Sequence, residues 1–339
     1  MKQGPSVAFV THGGPDIGLG HVRRCLALAA AWSAERARLM FALPVHDRHS
    51  AEFVRRAGFE VVATPWETTG EAIASELRAR GVTIAVVDSY AVSTELLIVL
   101  GEVVEQVVAV DDVADRPLPV DVVVNGGVRA ESLPYDRSGE SLLLLGPRFA
   151  LIDPRFAGAH ERKPSKRLER VLIALGGGRH DATVTVAVNA VRSALANAEV
   201  CVMVGPFTAL DHATRPGDDP ITINRDPADP RALMLWADVA IAGAGVTLYE
   251  LAATGTPAVI IQMADNQAPN AIGFSAAGAA LLAGDATSAG LGAAIQAALR
   301  RLADGASERA TLSERARALV DGAGAMRVTR EVGARIAAA

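Results

Sequence analysis

Cysteine is nearly absent: Cys25 and Cys201 are the two in 339 residues, too few and too far apart for a disulfide framework or a multi-cysteine metal site. This usage fits a reducing cytoplasm, and a cytoplasmic location is expected. Aromatic residues make up only 4% although 50% of the chain is apolar, so Ala, Val and Leu must fill the core, which favours packed helices and buried strands. There is no basic excess either: 33 Lys and Arg stand against 38 Asp and Glu, a net charge of −5, without the footprint that binding a polyanion requires. Nucleic acid is therefore not an expected partner. No uncharged run reaches the roughly 20 residues of a membrane span. Gly13, Gly14 and Asp16 soon end the first apolar segment, so neither a span nor a signal peptide is expected.

Several catalytic signatures are missing too. No HxH, HxxxH or HExxH spacing offers a metal site, and no metal or other cofactor is expected. Gly18-x-Gly20-x-x-Arg23 and Gly243-x-Gly245-x-x-Leu248 each lack the third glycine of the dinucleotide fingerprint, and no Gly-Lys-Ser/Thr ending marks a P-loop. NAD-dependent enzymes and P-loop ATPases both lose weight.

What is present is a repeating pattern. Short runs rich in Val and Ile alternate with longer Ala/Leu/Arg stretches of helical spacing. The runs predict strands over residues 7–10, 39–42, 60–63, 84–87, 106–110, 121–124 and 142–145. A second series falls at 171–175, 199–204, 221–223, 239–242, 258–261 and 279–283. Runs that are apolar throughout are what parallel strands covered on both faces require, so two doubly wound α/β sheets are expected. Residues 159–170 contain the most charged stretch and read as a linker between an N-terminal domain, 1–158, and a C-terminal domain, 171–339. The end of the chain, from Ser307, reads as helical with a break near Gly322 to Gly324. Whether its last helix returns to the first domain is left open by the pattern.

Three of the predicted strands run into glycine-rich turns that open helices: Gly13-Gly14-Pro15-Asp16-Ile17-Gly18-Leu19-Gly20, Gly176-Gly177-Gly178 and Gly243-Ala244-Gly245-Val246-Thr247. At the carboxyl end of a parallel strand, free helix N–H groups and the helix dipole favour an anion such as diphosphate. Any one such loop is equally explained as a tight turn; three together favour a phosphate ligand. His21 follows the first loop directly, where an imidazole can serve as a general base, or else cap the helix or face solvent. His46, His49, His160 and His212 lie in polar, loop-like sequence, and His12 and His180 flank glycine loops. Glu250 comes one helical turn after the third loop, placed to accept hydrogen bonds from ribose hydroxyls. Asp88-Ser89-Tyr90, Asp111-Asp112 and Asp265-Asn266-Gln267 end three further strands.

Ile17-Gly18-Leu19-Gly20-His21-Val22-x-Arg24-Cys25-Leu26-Ala27-Leu28-Ala29 closely resembles the opening of the hydrolases that cleave UDP from 2,4-diacetamido-2,4,6-trideoxy-altropyranose in pseudaminic acid biosynthesis. It is equally similar to their relatives among the spore-coat polysaccharide proteins. The resemblance runs on, in order, through Val87-Asp88-Ser89-Tyr90, Asp111-Asp112, Asp121 to Asn125, Leu145-Gly146-Pro147-Arg148, Leu175-Gly176-Gly177, Ala242 to Ala252 and Ala264-Asp265-Asn266-Gln267. It implies a GT-B-like fold, two Rossmann-like domains facing a cleft. It implies His21 as the residue that activates water, with Gly18, Gly20, Tyr90, Asn266 and Gln267 on the sugar side. Gly176, Gly177, Gly243, Gly245, Thr247 and Glu250 would hold the nucleotide. The Arg-x-Asp motif usual before the first loop in those hydrolases is absent, since the stretch reads Thr11-His12-Gly13-Gly14-Pro15-Asp16, which leaves the sugar open.

The expected activity is hydrolysis of a UDP-linked amino or deoxy sugar with inversion, in surface-glycan or nonulosonic acid biosynthesis, by a monomer. The alternative is an inverting glycosyltransferase in which an acceptor hydroxyl replaces water. A binding protein without catalysis would keep residues 243–250 but has no need of His21.

Overall fold

The computed structural model describes residues 4–15, 17–33, 36–158, 165–208 and 221–338. The chain divides into two compact units, one of Met1–Pro154 with Ala323–Ala339, the other of Arg155–Gly322.

The first unit carries β1 (Ser6–Thr11), α1 (Gly20–Ser33), β2 (Arg38–Leu43), α2 (Arg48–Arg56), β3 (Glu60–Ala63), α3 (Gly70–Ala79), β4 (Ile84–Asp88), α4 (Thr94–Gly101), β5 (Gln106–Val110), β6 (Val122–Asn125) and β7 (Leu142–Leu145). Its seven-stranded sheet runs β3-β2-β1-β4-β5-β6-β7, every pair parallel. Residues 7–10 and 84–86 are completely buried, which is why these strands are apolar on both faces rather than alternating. On one face Phe9 stacks on Phe41 with ring centroids 4.7 Å apart, against Leu28 and Trp32 of α1. On the other, Val10, Val87, Ile73 and Leu97 pack together.

The second unit carries β8 (Arg170–Ala174), α5 (Asp181–Ala194), β9 (Glu199–Val204), β10 (Ile221–Arg225), α6 (Pro230–Trp236), β11 (Val239–Gly243), α7 (Val246–Thr254), β12 (Ala258–Gln262), α8 (Ala268–Ala276), β13 (Leu281–Asp285), α9 (Leu291–Asp304) and α10 (Ala306–Leu319). Its parallel sheet is six-stranded, β10-β9-β8-β11-β12-β13. Every predicted strand is present. The last begins at Leu281 rather than 279, because α8 is closed by Gly278 at φ +62° with Ala279 N–H donating back to Phe274 O, 2.9 Å away.

Two boundaries differ from the expectation. Residues 323–339 belong to the first unit, not the second: α11 (Gly324–Ala338) buries Ala325, Val328 and Val332 completely in the core that holds Val22, Cys25 and Ala29 of α1. The sequence pattern marks a helix here but not the partner that covers it. The predicted linker is also misplaced, since the division falls between Pro154 and Arg155. Of residues 159–170, 159–164 lie outside the described residues. The rest is tied to the second unit by Arg309 of α10, only 2% exposed, whose Nη2 donates to Ser165 O at 2.8 Å and Lys166 O at 3.2 Å.

In each sheet the strand order reverses once, between β1 and β4 in the first unit and between β8 and β11 in the second. In open α/β sheets the crevice outside the carboxyl ends at such a reversal is where ligands bind. Thr11 and Asp88 end one such pair of strands, and residues 174 and 243 end the other.

Candidate active site

The first glycine loop closes on itself. Gly14 and Gly18 exchange backbone hydrogen bonds of 3.1 and 2.7 Å, at φ +144° and +79°, conformations that a side chain strains. Asp47 accepts from Gly13 N at 2.8 Å and from Ser50 N at 3.0 Å, so one carboxylate anchors the loop and caps α2. This tight return starts α1 at Gly20 and brings His21 into its first turn, 6% exposed, beside the end of β4.

There His21 Nδ1 lies 2.6 Å from Oδ1 of Asp88, which is fully buried. Nδ1 also lies 2.9 Å from Arg24 Nη2, which can only donate, so the two contacts oppose each other. The shorter one, to the carboxylate that only accepts, is satisfied with the proton on Nδ1, which leaves Nε2 as the basic nitrogen. Arg24, one helical turn along the same face of α1, grips Asp88 with Nε at 2.9 Å and Nη2 at 2.7 Å. Its Nη1 reaches both oxygens of Asp112, at 2.8 and 2.7 Å. Tyr90 Oη donates to Asp112 at 2.9 Å, and its ring meets that of His21 edge-on at 4.7 Å. Burial works against the charges of Arg24 and Asp112. Their mutual attraction prevails, with Asp88 adding to it at Arg24, so Arg24 is held well above and Asp112 below its ordinary value. The cluster beside the imidazole thus consists of two carboxylates bridged by one guanidinium. Cys25 is no competing nucleophile: burial and Asp88 push its thiol well above its ordinary value.

His12 forms a second layer. Its ring is 7% exposed and stands edge-on to His21 at 5.5 Å, with Trp66 at 5.9 Å. Its Nδ1 lies 3.4 Å from Glu67 Oε1, and Ser89 Oγ lies 3.2 Å from Nε2 and 3.5 Å from Nδ1. Burial and the neighbouring His21 hold His12 below the ordinary imidazole value, against the pull of Glu67 and Asp47. Asp111, by contrast, is structural: its Oδ2 accepts from Val113 N, Ala114 N and Tyr135 Oη at 3.1, 2.7 and 2.7 Å. Burial and that carboxylate push the Tyr135 phenol up.

In the second unit close backbone approach explains the glycines. A Cβ on Gly243 would lie 2.6 Å from Leu175 O, and one on Gly205 2.6 Å from Gly177 Cα. Gly176 has φ +111°. Gly245, which has no side chain to cap with, stands at the N-terminus of α7, where Leu248 N donates to its carbonyl at 3.0 Å, and Thr247 is half-buried in that first turn. Gln267 lies against Gly245, its Nε2 3.4 Å from where a Cβ would be, while its Oε1 accepts from Met263 N at 3.1 Å. Asn266 is exposed in a 3₁₀ turn, Asp265–Gln267, after β12. Glu250 is 7% exposed in the second turn of α7, deeper than a solvated helix glutamate.

The predicted residues thus gather in two groups. Gly18, Gly20, His21 and Tyr90 meet in the first unit; Gly243, Gly245, Thr247, Glu250, Asn266 and Gln267 are placed around one helix start in the second, with Gly176 and Gly177 at the neighbouring strand end. His160, His212 and Asp16 lie outside the described residues. The sequence reading gave no role to Arg24, the Asp88 to His21 contact, Asp112 as the anchor of Tyr90, or His12. The available signals were the three-residue helical spacing of His21 and Arg24 and the position of each carboxylate at a strand end. Among the described residues no group of His, Cys, Asp and Glu could hold a metal ion, and no helix is long and apolar enough to cross a membrane.

No family model matches the chain. It is 25% identical over 341 residues to the spore coat polysaccharide biosynthesis protein SpsG of Bacillus subtilis, covering 95% of this chain and 96% of that protein. Among solved structures, MurG of Acinetobacter baumannii superposes with a TM-score of 0.66 at 15% identity, covering 97% of this chain and 99% of that one. The spinosyn rhamnosyltransferase SpnG complexed with thymidine diphosphate gives 0.65 at 17% identity, covering 96% and 100%. The fold is accordingly GT-B-like: two α/β units, each built on a parallel sheet, as in the known glycosyltransferase structures.

Proposed function

We propose that the chain is an enzyme acting on a nucleotide sugar, in which His21 activates the nucleophile that displaces a nucleoside diphosphate from the anomeric carbon. The observation that carries this reading is the 2.6 Å contact from His21 Nδ1 to the fully buried Asp88, at the strand reversal of the first sheet. Nε2 takes a proton from the attacking oxygen as that oxygen bonds to the anomeric carbon. The bond from that carbon to the diphosphate oxygen breaks, and both electrons leave with the diphosphate. One base and a direct displacement give inversion. The N–H groups at the start of α7 and its dipole favour the departing anion. Glu250 takes the ribose hydroxyls, Gly176 and Gly177 complete the nucleotide side, and Tyr90, Asn266 and Gln267 face the sugar.

Water is the nucleophile in this reading and a UDP-linked amino or deoxy sugar the substrate, supported by the resemblance of residues 17–29 to the hydrolases. A single chain suffices. The likeness to a rhamnosyltransferase favours a second reading, in which an acceptor hydroxyl takes the place of water. The test is a panel of UDP- and TDP-sugars incubated with the protein, with and without acceptor extract, and followed by proton NMR. Release of the inverted free sugar without acceptor supports hydrolysis. Release only with acceptor establishes transfer, and no consumption of any donor in either arm refutes both.

A further inference from the structure

We propose that His12 is a positioning residue for His21, acting through the loop that carries Tyr90; the inference rests on His21 being the base. His12 follows β1 directly, so its place is set by a buried strand. Its ring packs against Trp66 and His21, with centroids 5.9 and 5.5 Å away, and the residue is only 7% exposed.

The hydrogen bonds fix its orientation. Ser89 Oγ accepts from Ala91 N at 2.9 Å, so its own hydrogen is free to go to His12 Nε2 at 3.2 Å. With Nε2 accepting, Nδ1 holds the ring proton and faces Glu67 Oε1 at 3.4 Å. The chain from Ala91 through Ser89 and His12 to Glu67 therefore has one sense throughout and requires a neutral His12. It straps the turn around Tyr90, between Ser89 and Ala91, onto the end of β1. Tyr90 is then held at both ends: its backbone by this strap and its hydroxyl by Asp112 at 2.9 Å. Its ring, edge-on to His21 at 4.7 Å, packs against the same imidazole. Asp88 takes the proton of His21 only while Nδ1 is held against it; His12 and Tyr90, both packed edge-on to the imidazole, hold it there, so the tautomer depends on them as well.

Three substitutions separate this role from simple packing. His12→Gln keeps a donor and an acceptor near Glu67 and Ser89, whereas His12→Phe keeps the ring shape and loses both bonds. Ser89→Ala cuts the strap without altering the buried ring, and serves if His12→Phe fails to fold. Histidine side chains labelled with ¹⁵N report the His21 tautomer directly, with no substrate present. In the wild type and in His12→Gln, His21 gives one tautomer protonated at Nδ1. In His12→Phe or Ser89→Ala it gives averaged, broadened signals, and kcat falls about tenfold or more, toward the range for a misplaced base, while KM stays within about twofold of wild type. Unaltered His21 signals in both of these variants overturn the proposal, as does His12→Gln behaving like His12→Phe. If the tautomer responds as expected but none of the proteins turns over a nucleotide sugar, the positioning stands and the reading of His21 as the base fails.

Discussion

Asp88→Asn is the substitution whose consequences the geometry defines best. The native carboxylate is fully buried and accepts from His21 at 2.6 Å and from Arg24 at 2.7 and 2.9 Å. An amide keeps one acceptor oxygen and turns an NH₂ group toward a donor. Losing one charge-assisted bond costs about 1.5–3 kcal/mol, and breaking a buried pair outright about 3–5 kcal/mol. Because Asn keeps one oxygen and Arg24 keeps Asp112, the expected loss of unfolding free energy is about 2–4 kcal/mol. The buried Trp32 and Trp66 report the urea midpoint of the first unit. The effect on catalysis has a separate cause. An amide NH₂ facing Nδ1 favours the tautomer with its proton on Nε2, which removes the base and lowers turnover by about 10²–10⁴. Nucleotide binding, assigned to the second unit, should hold. If the variant is destabilised as stated yet turns over at near the wild-type rate, Asp88 serves the fold alone.

Glu250→Ala should weaken UDP by tenfold or more in calorimetry, since a hydrogen bond to a charged group is worth about 1.5–3 kcal/mol; unchanged affinity would send the ribose elsewhere. Acid should destabilise the first unit in two windows. His12 sits below its ordinary 6.5, so the unfolded chain takes up that proton first and stability falls as pH drops below 6.5 until folded His12 protonates. Asp112, held below its ordinary 3.8, adds stability that is present above that value and lost as pH falls through its lowered folded one, so Asp112→Asn should flatten the acid limb of a melting-temperature profile. Arg309→Met strips a partner from the buried Leu302 carbonyl and from the part-buried carbonyls of Ala303, Ser165 and Lys166 and should destabilise the second unit by about 1–3 kcal/mol in urea titration, leaving the first unit's transition unmoved.

The central strands such as β1 and β4 were legible because they are covered on both faces, so an uninterrupted apolar run marks them without help from their neighbours; the edge strands β3, β10 and β13 are only half covered and kept enough apolar residues to be seen. The final helix was legible as a helix but not in its place. Its apolar face, with Val328 and Val332, fits any unit with a matching groove, and only the packed α1 shows which one it covers. In the site, His21 stood out because a glycine loop precedes it. Its partners did not, since Asp88 is 67 residues from His21 and Asp112 is 88 from Arg24. They meet because β4 and β5 follow β1 in the sheet, an order that local patterns do not specify. His12 stood out only as the flank of a glycine loop for the same reason: Glu67 and Ser89 are 55 and 77 residues away.

The central claim is that an oxygen activated by His21 attacks the anomeric carbon and leaves the diphosphate intact. The direct measurement is turnover of a UDP-sugar in H₂¹⁸O by the wild type and by His21→Asn, with both products weighed by mass spectrometry. The account predicts ¹⁸O at C1 of the released sugar, none in UDP, and a rate about 10²–10⁴ lower in the variant with UDP affinity nearly unchanged. Label in UDP would place the attack at phosphorus, and a variant as fast as wild type would remove His21 from the chemistry; either result contradicts it.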